Sequence, residues 1–562
     1  MRKLTLYWQL LLCSLFFVSL FSCRGKSTAP SKEIINEMGL KRGEIITCGP
    51  PDKEFGSVTF ETSCKPGNTE DFNLAMELLH SFEYDEAEKV FARIIDKDPS
   101  CAMAYWGVAM SNFHPLWSPP SLPELKKGMK AIRIAQSITK KSKREAGYID
   151  AIASFYNGWD SADHHTRCIR FERSMEELYT AFPKDKETAI FYALALDAAA
   201  DPADKSLSKQ KKAGAILQTL YAKYPDHPGI IHYIIHTYDI PELASAALPA
   251  ARRYAAVAPS SAHALHMPSH IFTRVGDWDE CIQSNKASVS SAKCYASSAG
   301  IKGHWDEELH GMDYLVYAYL QKGEDRLAKE QWDSLITMNE IHPANFKVAY
   351  AFAAIPSRCL LENKMWTAAA GLSVHPANFS WKDFQWQEAI IHFTRLMGAV
   401  HTGNIAPAKV ELQQLKSIHD RLAENKDLYS AGQVQVQITT GEAWICYREG
   451  RNKEALDLMN QAADMEDRTE KHPVTPCEVI PARELLGDIL LQMNKPAEAL
   501  DAYEADLKRH PNRFNGLYGA ALAAERSGNK TKAGVYYRQL LAVADTTNTM
   551  RTELVAAKNF LK

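Results

Sequence analysis

The chain has 562 residues, of which 46% are hydrophobic and 24% are charged, and its formal net charge at pH 7 is −3. This length exceeds what one ordinary hydrophobic core can organise, so we expect several domains or one elongated array of repeats. The nearly balanced charge predicts no basic surface for a phosphate backbone, and we therefore expect no nucleic-acid partner.

The first residues predict an export signal that is not part of the fold. Arg2 and Lys3 precede an apolar run over residues 10–21, which leads into the tetrapeptide LFSC at 20–23. The segment resembles a bacterial lipoprotein signal, although Phe21 is bulkier than usual at its position. The resemblance implies cleavage after residue 22, a lipid on Cys23, and anchoring in the cell envelope at the outer membrane or periplasmic face. A plain signal peptide or a membrane anchor is the alternative.

Helical spacing of apolar residues begins near Asn73. Two amphipathic helices are predicted over residues 73–99, and Pro99 ends the second. Ala87, which opens the second helix, is a small residue that lets the two helices approach. Small residues recur at comparable positions along the chain: Ala213, Ala247, Cys281, Ala328, Ala369, Ala408, Ala455, Ala499 and Ala533.

Two His-x-x-x-His pairs lie in the central stretch 227–270. The second pair, His266 and His270, follows the first, His232 and His236, by 34 residues. Thirty-four residues is the period of the tetratricopeptide repeat, a helix–turn–helix unit. The sequence therefore predicts an all-α fold, an α-solenoid (superhelix) of tetratricopeptide-type repeats, rather than a set of unrelated helical hairpins.

The predicted organisation has five segments. They are a lipoprotein signal peptide (1–22), a tether and irregular lead-in (23–70), N-terminal helical repeats with a Pro- and Trp-rich insertion (71–200), a regular core with the histidine pairs (201–340), and C-terminal repeats (341–562). A long Pro-containing loop at 470–481 is predicted to fold back on the array.

Polar residues cluster at the helix positions from which tetratricopeptide repeats usually hold ligands, namely 2, 5, 9, 12 and 13 of each first helix. Three consecutive first helices place ten residues there: His232, His236, Asp239, His263, His266, His270, Arg274, His310, Asp313 and Tyr317. By the same register Arg358 faces the groove. We expect this groove to bind a protein, a peptide or a small ligand.

The same positions predict a metal site. Residues four apart on a helix share a face, and packed helices lie about 8–10 Å apart, so pairs on neighbouring helices can converge on one ion at about 2.1 Å. Neutral imidazole suits Zn, Cu, Fe or Ni, and a carboxylate can join it. The predicted ligands are His232, His236, His266, His270 and Asp313. They can form one closed site or two open ones.

Three interpretations of the histidines stay open. In the first, the chain is a binding scaffold with a metal in its groove. In the second, it is a metal-dependent enzyme, a hydrolase or an oxidoreductase, in which Asp313 or Asp239 ligates the ion or acts as base. In the third, the histidines are core residues. No catalytic residue is assigned, because the sequence contains neither His-Glu-x-x-His nor Gly-x-Ser-x-Gly.

The chain has 11 cysteines, of which Cys13 and Cys23 lie in or next to the signal. In an exported protein some of the others are expected to form disulfides. Cys64 is predicted to pair with Cys48 or Cys101, because all three flank the first repeat. The remaining cysteines are expected to be small buried residues.

The chain resembles a bacterial family of large tetratricopeptide-repeat proteins of poorly defined activity. The resemblance rests on the segments HSFEYDEAEKVF, DPSCAMAYWGVAMS, HPGIIHYIIHTYDIP, HALHMPSHIFTRVGDW, DYLVYAYLQ, EKHPVTP, PARELLGD and PNRFNGLYGA, which together span most of the chain. Cys477 stands where that pattern has Gly, which concerns a turn. The resemblance implies the repeat fold and little about chemistry.

Overall fold

The computed structural model describes residues 29–50, 54–117, 119–544 and 551–562. The predicted signal peptide and the lipidation site Cys23 lie outside the described residues. Within the described part of the chain, no helix is both long enough and apolar enough to cross a bilayer. The chain divides into two compact units: Met1–Ile45, Val58–Leu79 and Tyr84–Ala199 form the first, and Ile46–Ser57, His80–Glu83 and Ala200–Lys562 form the second.

Among the described residues, eight helices belong mainly to the first unit. They are Lys32–Asn36 (α1), Thr69–His80 (α2), Tyr84–Lys97 (α3), Ala102–Ser111 (α4), Leu122–Ser137 (α5), Lys143–Tyr156 (α6), His164–Ala181 (α7) and Lys186–Ala198 (α8). Successive helices pack as antiparallel hairpins because only short turns join them. Gly107 on α4 permits one such approach, since a Cβ atom there would lie 2.3 Å from the Phe91 ring on α3.

The second unit contains nineteen α-helices in the described residues. They are Ser208–Tyr221 (α9), Pro228–Thr237 (α10), Leu248–Val257 (α11), Ala262–His266 (α12), Pro268–Val275 (α13), Trp278–Ser298 (α14), Asp306–Gln321 (α15), Asp325–Leu335 (α16), Phe346–Glu362 (α17), Trp366–Ala370 (α18), Gln385–His401 (α19), Ile405–Glu424 (α20), Leu428–Arg448 (α21), Asn452–Asp467 (α22), Ala482–Gln492 (α23), Pro496–Arg509 (α24), Phe514–Arg526 (α25), Lys530–Val543 (α26) and Thr552–Phe560 (α27). A short parallel pair joins the strands His304–Trp305 (β1) and Ile341–His342 (β2).

The small residues that the sequence places at the second helices are all completely buried. The ten positions with 0% exposure are Ala87, Ala213, Ala247, Cys281, Ala328, Ala369, Ala408, Ala455, Ala499 and Ala533. A side chain no larger than cysteine lets two helices of one repeat approach closely, which a longer side chain would prevent. The chain is therefore an all-α protein of tetratricopeptide-type helical repeats, as predicted from the 34-residue period.

Two disulfides lie in the described residues, one within each unit. Cys64 pairs with Cys101, which is one of the two predicted partners. Cys48 pairs instead with Cys294, across 246 residues of sequence that carry no local pairing signal. The free cysteines, Cys168, Cys281, Cys359, Cys446 and Cys477, are all buried, as expected for small residues of the core.

A candidate metal centre of six histidines

Local sequence signals determine where the helices of the site begin and end. Pro228 occupies the first turn of α10, where its missing N–H needs no partner. The Ser261 hydroxyl caps α12 by accepting a hydrogen bond from the Ala264 N–H at 3.0 Å. Pro268 begins α13 directly after α12, and Gly276 ends α13 with a φ of 70°, a conformation that glycine adopts without strain. These helices carry five of the six histidines, and His310 lies on α15.

Three imidazoles form what we call the first histidine group, His232, His236 and His263. The Nε2 atom of His232 lies 2.9 Å from Nε2 of His236 and 3.2 Å from Nε2 of His263. Three nitrogens bound at about 2.1 Å to one tetrahedral ion would lie about 3.4 Å from one another. The observed spacing is therefore close to that of a three-histidine metal site.

The second histidine group comprises His266, His270 and His310. The Nε2 atoms of His266 and His270 are 3.0 Å apart. The ring centroid of His310 lies 4.1 Å from that of His266. In each group one ring nitrogen per histidine lies within 4.8 Å of the other two. The ligand atoms of both groups are imidazole nitrogens.

Hydrogen bonds at Nδ1 determine the tautomers in the second group. The Asn285 Nδ2–H₂ donates to the Cys281 carbonyl at 2.8 Å, which turns Oδ1 of Asn285 toward His266. His266 therefore donates its Nδ1–H to that oxygen, at 2.7 Å. His270 donates its Nδ1–H to the Asp239 carboxylate at 3.0 Å. Both Nε2 atoms then carry lone pairs and face each other at 3.0 Å.

The first group is prepared in the same way. His232 donates its Nδ1–H to the main-chain carbonyl of His80 at 2.6 Å. Its Nε2 lone pair consequently points at His236 and His263. A histidine held by a carbonyl on one nitrogen and presenting the other to its neighbours is the usual arrangement of a metal-ligating imidazole.

Burial lowers the pKa of all six imidazoles below the ordinary value of 6.5, and it brings that of His232 to about 3. The imidazoles are therefore neutral at pH 7, so no proton bridges His266 and His270. Two lone pairs 3.0 Å apart repel each other, and a cation between them removes that repulsion. Neutral imidazole is also the form that binds metal.

Asp239 connects the second group to a distant part of the chain. Besides His270, its carboxylate accepts hydrogen bonds from Nε of Arg274 and Nζ of Lys471, both at 2.8 Å. Burial favours the protonated acid, but the ammonium of Lys471 and the guanidinium of Arg274 hold the pKa of Asp239 well below its usual range. Asp239 is thus an ionised carboxylate that orients His270.

The 470–481 segment folds back over the first helices, as predicted. The Tyr314 hydroxyl on α15 donates to the Val474 carbonyl at 3.3 Å and lies 3.4 Å from both ring nitrogens of His270. On α17, Arg358 donates to the Cys477 carbonyl at 2.7 Å. The face of the first helices that the register predicts to be a ligand groove is therefore covered here by the chain itself.

The structure brings together most, but not all, of the predicted site residues. His263 and His310, predicted only to line the groove, complete the two histidine groups. Asp313, predicted as a metal ligand, instead pairs with Arg358 at 3.4 Å and lies outside both groups. Burial raises the pKa of Asp313 to about 6, against the guanidinium of Arg358.

Tyr317 also lies apart from the histidines. Its ring packs against Trp278, with centroids 5.2 Å apart, and beneath the guanidinium of Arg358 at 4.9 Å. Its hydroxyl accepts a hydrogen bond from Arg513 at 3.4 Å. Tyr314, three residues earlier and not predicted, takes the place beside His270. The repeat register identifies the helix face on which a residue lies. It does not determine which residue, of two on neighbouring turns of that face, contacts a given partner.

A tetratricopeptide-repeat family profile matches residues 485–548. The chain contains tetratricopeptide repeats. Repeats of this kind generally serve as scaffolds for protein or other ligands, and this chain has that architecture. No curated protein matches the sequence significantly.

Solved structures of helical-repeat proteins are similar over most of their length. A structure of the human IFIT1 dimer with m7Gppp-AAAA has 10% sequence identity and a TM-score of 0.35, and it covers 83% of this chain and 94% of that chain. The APC/C hetero-tetramer Cut9–Hcn1 has 11% identity and a TM-score of 0.26, with 87% and 96% covered.

Replacing Lys471 with methionine tests the link between the 470–481 segment and the second group. The K471M variant removes one of the two cations on buried Asp239, and breaking a buried ion pair typically costs about 3 kcal/mol of unfolding free energy. Chemical denaturation measures the loss. The matched control is Lys495→Met, whose ion pair with Glu498 is exposed and whose loss we expect to cost less than about 0.5 kcal/mol. Equal effects of the two substitutions would contradict the assignment.

Proposed function

We propose that the protein binds two transition-metal ions, one at each histidine group. The observation that carries the proposal is the pair of Nε2 lone pairs on His266 and His270, which face each other at 3.0 Å because Asn285 and Asp239 hold the opposite ring nitrogens. Such an arrangement raises the energy of the empty site and is stabilised by a cation. The first group, held by the His80 carbonyl, supports the same conclusion.

The donor set restricts the metals. Both groups offer neutral nitrogen ligands, which suit Zn, Cu, Fe or Ni and not the oxygen-seeking ions Mg²⁺ and Ca²⁺. Three protein ligands per ion leave one coordination position for a small exogenous ligand, as in catalytic rather than structural zinc sites. The proposed sites therefore have the composition of reactive metal centres.

The covered face supports an internal site over an open scaffold groove. His232 and His266 are 0% exposed, and His263, the most exposed of the five buried imidazoles, reaches only 9%. A bound peptide would have to displace the 470–481 segment and its hydrogen bonds to Tyr314 and Arg358. We therefore assign metal binding to this face and leave protein binding by the repeats to other surfaces.

An enzyme is the second candidate, and the structure favours one of its two forms. The metal-dependent hydrolase predicted from the sequence uses Asp313 or Asp239 as a carboxylate base near the ion. The Asp239 carboxylate is held by Arg274 and Lys471, and Asp313 is held by Arg358. Both carboxylates predicted as bases are thus ion-paired with other side chains, which argues against the hydrolase. An oxidoreductase needs no such base and is compatible with the site.

Metal content tests the proposal directly. After loading with an excess of the metal and desalting, we expect about two ions per wild-type chain. Replacing one whole group with asparagine, in the variants H232N/H236N/H263N and H266N/H270N/H310N, should leave one ion each, because each group supplies all the protein ligands of its own ion. Elemental analysis gives the stoichiometry, and circular dichroism verifies the fold.

The control for these variants is His165→Asn, which changes an exposed histidine of the first unit and should keep both ions. No retained metal in the wild-type protein, for any of Zn, Cu, Fe and Ni, would refute the proposed function. Unchanged metal content in both triple variants would place the metal elsewhere.

We also propose that the protein is exported and tethered to the envelope by a lipid on Cys23. The two disulfides support the export, because such bonds persist in oxidising compartments outside the cytoplasm. The lipoprotein-like tetrapeptide at 20–23 supports the lipid.

Metabolic labelling tests the tether. Cells given a radiolabelled fatty acid should label the wild-type protein and the Cys13→Ala variant, and the Cys23→Ala variant should carry no label and lose membrane association. Label retained in Cys23→Ala would exclude lipidation at that residue. Cys13 is the matched control because it lies in the same apolar run without the tetrapeptide around it.

A further inference from the structure

The two histidine groups are not separated from one another. The ring centroids of His236, in the first group, and His270, in the second, are 6.4 Å apart. Within the second group His270 and His310 are equally far apart, at 6.4 Å, and within the first His236 and His263 are 6.2 Å apart. The distance between the groups therefore equals the longest spacing inside them, and the six rings form one contiguous cluster.

The charges around the cluster bear on the oxidation state of its metal. Three cations lie near it, each paired with a carboxylate: the buried Arg274 and Lys471 with Asp239, and the half-buried Lys347 with Asp306 at 3.0 Å and with Glu307. All six ligands are neutral. Charge buried at low dielectric is costly, and the cost grows with the square of the charge on each ion. The free energy needed to bury two monovalent ions here is consequently lower than that needed to bury two divalent ions.

Of Zn, Cu, Fe and Ni, copper is the metal that is readily monovalent in a protein. Divalent copper also has the highest affinity of that series for nitrogen ligands. Three neutral imidazoles satisfy the coordination of Cu(I). We propose, building on the metal binding proposed above, that the two groups form one binuclear copper centre that binds dioxygen between its two ions.

The binding step balances without a proton. Each Cu(I) gives one electron to dioxygen and becomes Cu(II). Dioxygen gains these two electrons, its O=O double bond becomes the O–O single bond of peroxide, and the peroxide oxygens bond to both copper ions. The total charge of the centre is +2 before and after, so the step adds no charge to the buried interior. Release of dioxygen reverses the step, and an external one-electron donor such as ascorbate returns oxidised copper to Cu(I).

The surroundings suit a small apolar ligand. The Phe82 ring packs against His232 and His236, with centroid distances of 4.4 and 5.5 Å. On the other side Tyr314 packs against His266 at 4.6 Å. With the imidazoles buried and the 470–481 segment across the face, the site admits a diatomic molecule more easily than an organic substrate, and it limits the access of water to bound peroxide.

The test uses the full-length protein in detergent, loaded anaerobically with Cu(I) and then exposed to dioxygen. We expect two copper ions per chain and one dioxygen taken up per two copper ions. We also expect a new near-ultraviolet charge-transfer band and no paramagnetic resonance signal, because the two Cu(II) spins couple. Copper titration of the wild-type protein needs no substitution. If the two groups bind copper with similar affinity, dioxygen uptake should rise with the square of the fractional occupancy, to about one quarter of its maximum at one ion per chain and to its maximum at two.

Substitution gives an independent readout. His310→Asn should remove one copper ion and more than nine-tenths of the dioxygen uptake, because one ion supplies only one electron. His165→Asn should change neither. A matched loss of half the copper and half the uptake in His310→Asn would overturn the binuclear proposal.

The outcomes separate this inference from the proposed function. Two copper ions with the resonance spectrum of isolated Cu(II), or tight binding of Zn²⁺ with no retention of Cu(I), would refute the binuclear copper centre and leave metal binding intact. Retention of none of these metals would refute both.

Discussion

The site depends on a small set of hydrogen bonds to the Nδ1 atoms of its histidines. The His80 carbonyl, the Asn285 amide and the Asp239 carboxylate each accept one Nδ1–H, from His232, His266 and His270. Without those acceptors each ring would be free to choose the other tautomer and to donate to its neighbour through Nε2. With them, three lone pairs point inward, and the cluster is arranged for a cation.

The repeat fold makes this arrangement possible because it places residues of successive repeats side by side. His232 and His266 occupy equivalent positions 34 residues apart, so each repeat contributes one His-x-x-x-His pair to the same face. The third ligand of each group comes from the next repeat, His263 from α12 and His310 from α15. One array thereby builds two similar sites, each of which spans a boundary between repeats.

The 470–481 segment covers the face and changes the electrostatics and the solvent exposure of the site. The segment adds Lys471, which holds Asp239 ionised, and covers histidines that would otherwise face water. Burial then keeps the imidazoles neutral, which favours metal over protons as their partner. The energy of folding this segment back is in part an energy of arranging the six imidazoles that we propose to bind metal.

The 34-residue period was enough to predict the fold, because it located the small residues where helices pack and showed which residues share a helix face. It identified all six histidines as members of one face, and it could not show how they divide into groups. His263 and His266 lie three apart on α12, yet they serve different groups, because the partners of each come from different neighbouring helices.

Other parts of the site could not be predicted from the sequence, for a related reason. Asn285 lies on α14, outside the first helices to which the register assigns the ligand positions, and Lys471 contacts Asp239 across 232 residues. Asp313 shares the predicted face, but the neighbouring guanidinium of Arg358 holds it away from the histidines. Such pairings depend on how distant segments meet, which local spacing does not encode.

The most direct measurement of the central claim is an anomalous-difference map from crystals of the metal-loaded protein, recorded at the absorption edge of the bound metal. Metal binding at both histidine groups predicts two strong peaks inside the second unit. One lies within bonding distance of Nε2 of His232, and the other within bonding distance of Nε2 of both His266 and His270. Peaks at exposed histidines only, or a metal bound through the Nδ1 atoms that His80, Asn285 and Asp239 occupy, would contradict it.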